Sequence, residues 1–169
     1  MEECCRRGIS KLWSDRLVPI GNGEDISELS ITANELPSYI KTMKKAQGGF
    51  VKKLLYPKTQ FTMNRALQFI NSNGAMYSCS AGDSLITVDE FGKIMSCRRR
   101  PIVCEDVFNS ALENVYYNAP VFKELRGLCA PDECSECKYS YYCQGGARCQ
   151  SYASYGTYYR ADPACVICR

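Results

Sequence analysis

The residues of this chain that can do chemistry are cysteines, and three of them lie close together around residue 140. Cys134 and Cys137 are separated by two residues, and Cys143 follows after five more. The first spacing lets two thiolates face one metal centre, and the five-residue loop can fold back to offer a third. A fourth thiolate has to come from elsewhere, and Cys165 is far enough downstream for the chain to wrap around the site. The spacing therefore predicts one metal site held by Cys134, Cys137, Cys143 and Cys165.

A predicted β-hairpin places two more cysteines near each other. Residues 85–88 and 93–97 have the pattern of strands, and the four-residue turn Asp89–Gly92 between them closes on a glycine. The hairpin brings Cys97 back toward Cys79, so two cysteines 18 positions apart can ligate one centre without a local C-x-x-C motif. The chain thus offers thiolates for a second metal site.

The chain contains 12 cysteines and no histidine. Without an imidazole it can build no Ser-His-Asp triad, no Cys-His pair and no mixed Cys/His zinc site. Soft thiolate ligands suit iron–sulfur clusters and structural zinc. Ligand chemistry alone therefore leaves open whether iron–sulfur clusters or structural zinc ions occupy the sites.

Length and composition indicate an ordinary globular protein of 169 residues, 46% of them apolar and 23% charged. The net charge of +3 is too small to argue for a nucleic-acid partner, and no apolar stretch approaches the length of a membrane span. Because no apolar signal segment is visible, we expect the cytoplasm, where clustered cysteines bind metal more often than they pair. We rank the alternative of a disulfide-bonded secreted domain below the interpretation as a cytoplasmic, metal-binding protein.

The first half of the sequence alternates predicted helices and strands. Thr32 and Glu35 form a capping box before the longest helix. The alternation predicts parallel strands with helical crossovers, as in part of an α/β barrel or an open sheet. The predicted elements are the end of a helix over 2–8, a strand over 14–20, a helix over 33–46, a strand over 50–56 and a helix over 63–71.

The character of the sequence changes near Gly74, where we place a domain boundary. Ten of the 12 cysteines follow this point, and the strand pattern shortens. A helix capped by Asn109 or Ser110 and a second helix over 121–126, opened by Pro120, are predicted before the cysteine-rich end.

Charged, aromatic and glycine residues surround the candidate ligands. The arginines at 98–100 can neutralise a cluster or bind an anionic partner, but a short charge run is usually a solvated loop, and we predict solvation. The tyrosines between residues 139 and 159 are predicted to pack in the protein interior. For Gly145 and Gly146 we predict close backbone approach to a cluster, with amide hydrogens free to bond sulfur.

Taken together, these features resemble the SPASM domain of radical S-adenosylmethionine enzymes. The resemblance covers residues 75–169, and the matching features are Cys79, Gly92 and Cys97 of the hairpin, the C-x2-C-x5-C run, the double glycine and the final Asp-Pro-x-Cys. It implies two auxiliary 4Fe-4S clusters and a peptide or protein substrate. Residues 1–74 resemble the C-terminal part of the partial (β/α) barrel that precedes such a domain. The implied fold class is α+β or α/β, with that barrel portion followed by a small cysteine-rich domain of a β-hairpin and short helices.

The resemblance also implies which cysteines hold each cluster. The second auxiliary cluster takes Cys134, Cys137, Cys143 and Cys165, and the first takes Cys79 and Cys97. The family has a cysteine directly after the double glycine, where this chain has Ala147, so Cys149 is the expected substitute. The fourth ligand of the first cluster is Cys104 or Cys129, or that cluster keeps an open iron.

One family motif is missing. Radical chemistry needs C-x3-C-x2-C to bind and cleave S-adenosylmethionine, and this spacing does not occur in the sequence. S-adenosylmethionine is therefore expected only if a missing N-terminal part or a partner radical subunit supplies its site. Arg98 stands where the sulfatase-maturing branch has an acid, which counts against that reaction. The alternative function is a non-enzymatic, all-cysteine zinc module that mediates protein contacts.

Overall fold

The structure is a computed structural model, and it describes residues 2–47, 59–63 and 78–167. The strand predicted over 50–56, the helix predicted over 63–71 beyond Met63, and the boundary near Gly74 lie outside the described residues. Cys168 also lies outside them.

A parallel strand pair forms the first part of the fold. Helix α1 (Glu2–Arg6) leads into strand β1 (Lys11–Ser14), which pairs in parallel with β2 (Gln60–Met63), so that Lys11 lies opposite Gln60 and Ser14 opposite Met63. Between the two strands lie two short 3-10 turns over Gly21–Leu29 and helix α2 (Leu36–Gln47). A parallel pair with a helix between its strands was predicted, but β2 was not, because the predicted second strand lies over residues 50–56, outside the described residues. Met63, where a helix was predicted to begin, is the last residue of β2.

The strand predicted over residues 14–20 is wrong in its bounds. β1 ends at Ser14, and residues 15–19 have no regular secondary structure. The polar groups of this segment bond to the cysteine-rich end of the chain instead of a neighbouring strand, since Gln150 Nε2 donates a hydrogen bond to the Leu17 carbonyl at 2.7 Å. Pro19 also has no N–H to give to a ladder.

Helix α2 begins later than predicted, at Leu36, but the predicted capping pair is present. Glu35 Oε2 accepts hydrogen bonds from the Thr32 backbone N–H at 2.9 Å and from the Thr32 hydroxyl at 2.7 Å. These bonds hold the pKa of the Glu35 carboxyl below its ordinary value. The helix buries Leu36 and Ile40 against Ala164 near the end of the chain, with Cys143 and Cys165 packed beside them.

The second part of the fold contains a three-stranded antiparallel sheet in the order β3 (Thr87–Val88), β4 (Lys93–Cys97) and β5 (Arg100–Asp106). The predicted hairpin is confirmed, with the carboxylate of Asp89 accepting hydrogen bonds from the backbone of Phe91 and Lys93. Its first strand is shorter than predicted. β5 was not predicted, because the arginines that precede it have the pattern of a solvated loop.

Short helices complete the second part. The helices α3 (Leu112–Asn118) and α4 (Pro120–Gly127) pack Val115 and Phe122 against Ile94 of the sheet. Pro120 opens α4 as predicted, but the predicted cap of α3 by Asn109 or Ser110 is wrong, because Ala111 occupies that position and provides no side-chain bond. A 3-10 turn (Asp132–Cys134), α5 (Ser140–Cys143) and α6 (Arg148–Tyr155) follow. No described helix combines the length and apolar character that crossing a bilayer requires.

An ion pair between Arg16 and Asp162 joins the two parts of the fold. The side chains are 3% and 1% exposed, and the guanidinium donates to both carboxylate oxygens, one bond measuring 2.8 Å. Asp15 pairs with Arg99 beside it. A buried charge is strongly destabilising once its partner is removed, so the fold needs both Arg16 and Asp162.

We expect Asp162→Asn to lower the free energy of unfolding by about 3–5 kcal/mol, because it removes the buried negative charge that faces the Arg16 guanidinium. The matched control is Arg160→Gln, which breaks the more exposed pair between Arg160 and Glu133 and should cost less than about 1 kcal/mol. Anaerobic urea denaturation measures both values. Equal losses in the two variants would show that the Arg16–Asp162 pair has no special role.

Candidate metal centre

Four cysteines line one narrow cavity at the C-terminal end of the fold, here named the C-terminal cysteine site. It comprises Cys134, Cys137, Cys143 and Cys165. The 3-10 turn ends at Cys134, the following turn carries Cys137, and α5 ends at Cys143. The structure thus brings together the four cysteines that the spacing predicts as ligands of one centre. That they bind a metal stays a prediction.

The electrostatics of this site disfavour free thiolates. Burial raises the pKa of the Cys143 thiol to about 11, and the neighbouring sulfurs of Cys165 and Cys134 raise it further, while the backbone N–H of Gly145 opposes the shift. Thiolates gathered this closely need a positive partner to remain ionised. Iron and zinc supply that charge, so the donor set fits a thiolate-bound metal group.

Backbone amides point at the sulfur atoms of the site. Gly145 N–H bonds to Cys143, and the Ile167 N–H donates to Cys165 Sγ at 3.5 Å. That the amides of Gly145 and Gly146 bond the sulfur of a cluster stays a prediction. Such bonds stabilise ionised sulfur ligands.

The double glycine is required by close side-chain packing. Gly145 and Gly146 have φ angles of +87° and +83°, which residues with a side chain rarely adopt. A Cβ atom on Gly145 would lie 2.7 Å from Pro131, and one on Gly146 would lie 2.8 Å from the Cβ of Asp162. The close approach observed in the structure is therefore to these two side chains.

Asp162 fixes the loop that carries Cys165. Its carboxylate accepts hydrogen bonds from the backbone N–H groups of Ala147 at 3.1 Å and Ala164 at 2.9 Å, in addition to those from Arg16. Its own N–H donates to the Gly145 carbonyl at 2.9 Å. These bonds draw the last loop against the turn between α5 and α6, which brings Cys165 to Cys143.

Three further cysteines line a second cavity of about 200 Å³, here named the hairpin cysteine site. Cys97 lies at the end of β4, Cys79 precedes the sheet, and Cys149 is the second residue of α6. The expected substitute for the family's cysteine thus reaches the same cavity as the hairpin pair, although its role as a ligand stays a prediction. Ala147, at the family's position, is 1% exposed and precedes α6.

Two thiols of the hairpin cysteine site have a raised pKa. Burial, together with the sulfurs of Cys79 and Cys97, raises the pKa of Cys149 to about 11. Burial likewise raises the pKa of Cys97, whose sulfur accepts a hydrogen bond from the Arg99 backbone N–H at 3.4 Å. The donor set therefore fits a thiolate-bound metal group here as well.

Neither candidate for a fourth ligand lines the second cavity. The Cys104 thiol lies 3.7 Å from the Ile102 carbonyl, to which it donates, and packs beside the core that includes Phe122. Cys129 is exposed, and its thiol lies 3.9 Å from the Gly127 carbonyl. Cys104 and Cys129 therefore remain predicted ligands that the structure does not bring to the hairpin cysteine site.

The thiols surround cavities and do not converge on a point. Across residues 2–47, 59–63 and 78–167, no three cysteine or acidic side chains are close enough together to share a single metal ion. Ligands of one zinc ion lie about 2.3 Å from it and therefore close to one another. Which metal group either site takes therefore stays a prediction.

Sequence reasoning did not identify four residues as lining or bracing the sites: Arg16, Arg100, Arg148 and Asp162. The prediction that the arginine run is solvated holds for Arg98, which is exposed, but is wrong for Arg100, which is only 6% exposed, and Arg99 pairs with Asp15. Asp162 was noted only as part of the final Asp-Pro-x-Cys. Nothing local in the sequence marks Arg16 or Arg148, because Arg16 pairs with a residue 146 positions away and Arg148 bonds to carbonyls of other segments.

Comparison with known proteins supports part of this interpretation. No family model matches the chain. Over 92 residues, or 52% of the chain, it is 29% identical to the AdoMet-dependent heme synthase of Methanosarcina barkeri, and the match covers 25% of that protein. The chain therefore spans about a quarter of this curated relative.

The fold is similar to that of part of a larger solved protein. The crystal structure of Streptococcus suis SuiB bound to S-adenosylmethionine matches 98% of this chain and 40% of the SuiB chain, with a TM-score of 0.66 and 15% sequence identity. The mixed α/β fold is thus shared with SuiB. The sequence similarity agrees with the predicted kinship to S-adenosylmethionine enzymes, the SuiB comparison shows a shared fold alone, and the SPASM assignment stays a prediction.

We expect Cys149→Ser to lose about four iron atoms per chain after anaerobic reconstitution, because one cluster loses a ligand. Cys104→Ser is the matched control, since this half-buried cysteine lies outside both cavities. Iron analysis of the purified variants measures the difference. Loss of iron in Cys104→Ser with retention in Cys149→Ser would reverse the assignment.

Proposed function

We propose that this chain is part of a radical S-adenosylmethionine enzyme of the SPASM type and holds two auxiliary 4Fe-4S clusters. Cys134, Cys137, Cys143 and Cys165 hold one cluster. Cys79, Cys97 and Cys149 hold the other. The substrate is a peptide or protein, and the clusters relay electrons or anchor that substrate.

The observation that carries this proposal is the separation of seven cysteines into two cavities. Cysteines far apart in sequence meet at each cavity: Cys165 joins a set that begins at Cys134, and Cys149 joins the pair at the hairpin. A packed core has no need of two separate groups of cysteines that each line a cavity. Four thiolates and a cubane cluster form a standard unit, and three thiolates leave one iron open to another ligand.

The sequence similarity to an AdoMet-dependent enzyme supports the same proposal. When bound, the clusters supply one-electron chemistry. The residues of this chain hold them and donate backbone N–H bonds to sulfur, and the buried Tyr158 lines the hairpin cysteine site. The predicted interior packing of the tyrosines is wrong for Tyr141, Tyr142, Tyr155 and Tyr159, which are exposed. Because the C-x3-C-x2-C motif is missing, the site for S-adenosylmethionine belongs to another part of the enzyme or to a partner subunit.

Anaerobic reconstitution should yield a brown protein with about eight iron and about eight sulfide per chain, because two 4Fe-4S clusters are expected. Metal and acid-labile sulfide analysis measures this content. Reconstitution with zinc alone provides the comparison. Stoichiometric zinc without sulfide in the protein as purified from anaerobic cells would instead establish the structural zinc module.

The reconstituted chain should not cleave S-adenosylmethionine under reducing conditions. The reason is that cleavage needs an iron left open by the three-thiolate motif, which the sequence lacks. Chromatographic detection of 5′-deoxyadenosine after incubation with dithionite measures this. Rapid formation of that product by the chain alone would contradict the proposed division of labour.

A further inference from the structure

One arginine of the hairpin cysteine site is buried beside the cysteines. Arg100 is 6% exposed and lines the same cavity as Cys79, Cys97 and Cys149. Its guanidinium lies over the ring of Tyr158, with 3.8 Å between the guanidinium carbon and the ring centroid. This stacking fixes the plane of the guanidinium.

A second ring supports the first. Tyr152 stacks on Tyr158 with the ring centroids 4.7 Å apart, and the Arg100 guanidinium carbon lies 5.4 Å from the Tyr152 centroid. Aromatic contacts therefore help to position Arg100, whose Nε and Nη1 make no hydrogen bond to the described residues.

Several hydrogen-bond donors around this cavity have no acceptor within the described part of the chain. They are Nε and Nη1 of Arg100 and the hydroxyl of Tyr158, which is itself 4% exposed. Burying such donors without acceptors is unfavourable, and for a charged group strongly so. An acceptor in the cavity would remove that cost.

Of the other arginines that line the cavity, Arg98 is exposed, and Arg99 and Arg148 are already engaged. Arg148 donates to the carbonyls of Tyr158 at 2.6 Å and Cys129 at 2.8 Å, and Arg99 pairs with Asp15. The charge of Glu124 acts on Arg100, but Glu124 accepts no hydrogen bond from Nε or Nη1 of Arg100. Arg100 is therefore the buried cation with donors left for an anionic group in the cavity.

We propose that Arg100, oriented by Tyr158, donates hydrogen bonds to the sulfur atoms of the cluster held at the hairpin cysteine site and stabilises its reduced form. The inference rests on the proposed function. Reduction adds one negative charge to a cluster, and a buried cation and N–H donors at sulfur favour the more negative state. Arg100 thereby raises the reduction potential of the cluster at the hairpin cysteine site and not that of the other cluster.

The test is an anaerobic redox titration of the reconstituted protein, followed by electron paramagnetic resonance. The signal that disappears in Cys149→Ser identifies the cluster at the hairpin cysteine site. Arg100→Gln should lower the midpoint potential of that signal and leave the other cluster unchanged. Arg100→Lys should fall between wild type and Arg100→Gln, because it keeps the charge but loses the planar donors.

Two further variants complete the design. Arg126→Gln is the matched control, because Arg126 also stacks on a tyrosine, at 4.7 Å from Tyr116, but lies outside the cavity, and it should change neither potential. Tyr158→Phe keeps the ring and removes only the hydroxyl donor, so it should lower the same potential by less than Arg100→Gln. If Arg100→Gln fails to fold, Tyr158→Phe still tests the proposal.

The outcomes separate this inference from the proposed function. If wild type assembles no iron and sulfide, the proposed function fails. If the clusters assemble and both Arg100→Gln and Tyr158→Phe leave the potential at its wild-type value, or Arg126→Gln lowers it equally, the role of Arg100 is overturned while the proposed function stands.

Discussion

Both candidate sites depend on the interactions of the buried Asp162 carboxylate. It receives the guanidinium of Arg16 from the first part of the fold and the backbone N–H groups of Ala147 and Ala164 from the second. A carboxylate that is 1% exposed is stable only with such partners. One group thereby fixes the loop that carries Cys165 and the start of the helix that carries Cys149.

The two sites are built from shared elements and are not independent modules. Helix α6 supplies Cys149 to the hairpin cysteine site, and the turn before it lines the C-terminal cysteine site through Gly145. Arg148 lines the second cavity, and its Nη1 lies 3.4 Å from where a Cβ on Gly145 would stand. The two sites therefore share α6 and the turn before it as structural supports.

Local signals in the sequence were sufficient where the structure depends on local chemistry. The spacing from Cys134 to Cys143, the glycine-closed hairpin and Pro120 at the start of a helix each identify their element correctly. The strand bounds near Ser14 were misjudged because the apolar residues after it, such as Leu17, have the pattern of a strand while their backbone bonds elsewhere. Arg16 and Arg100 could not be recognised, since their partners lie 146 residues away in one case and in a cavity formed only by folding in the other.

The central claim is that seven cysteines hold two separate iron–sulfur clusters. Anomalous diffraction at the iron absorption edge, from crystals of the anaerobically reconstituted protein, tests it most directly. The account predicts two iron-rich peaks, one surrounded by Cys134, Cys137, Cys143 and Cys165 and the other beside Cys79, Cys97 and Cys149. A single peak at either site, or peaks at the zinc edge with none at the iron edge, would contradict it.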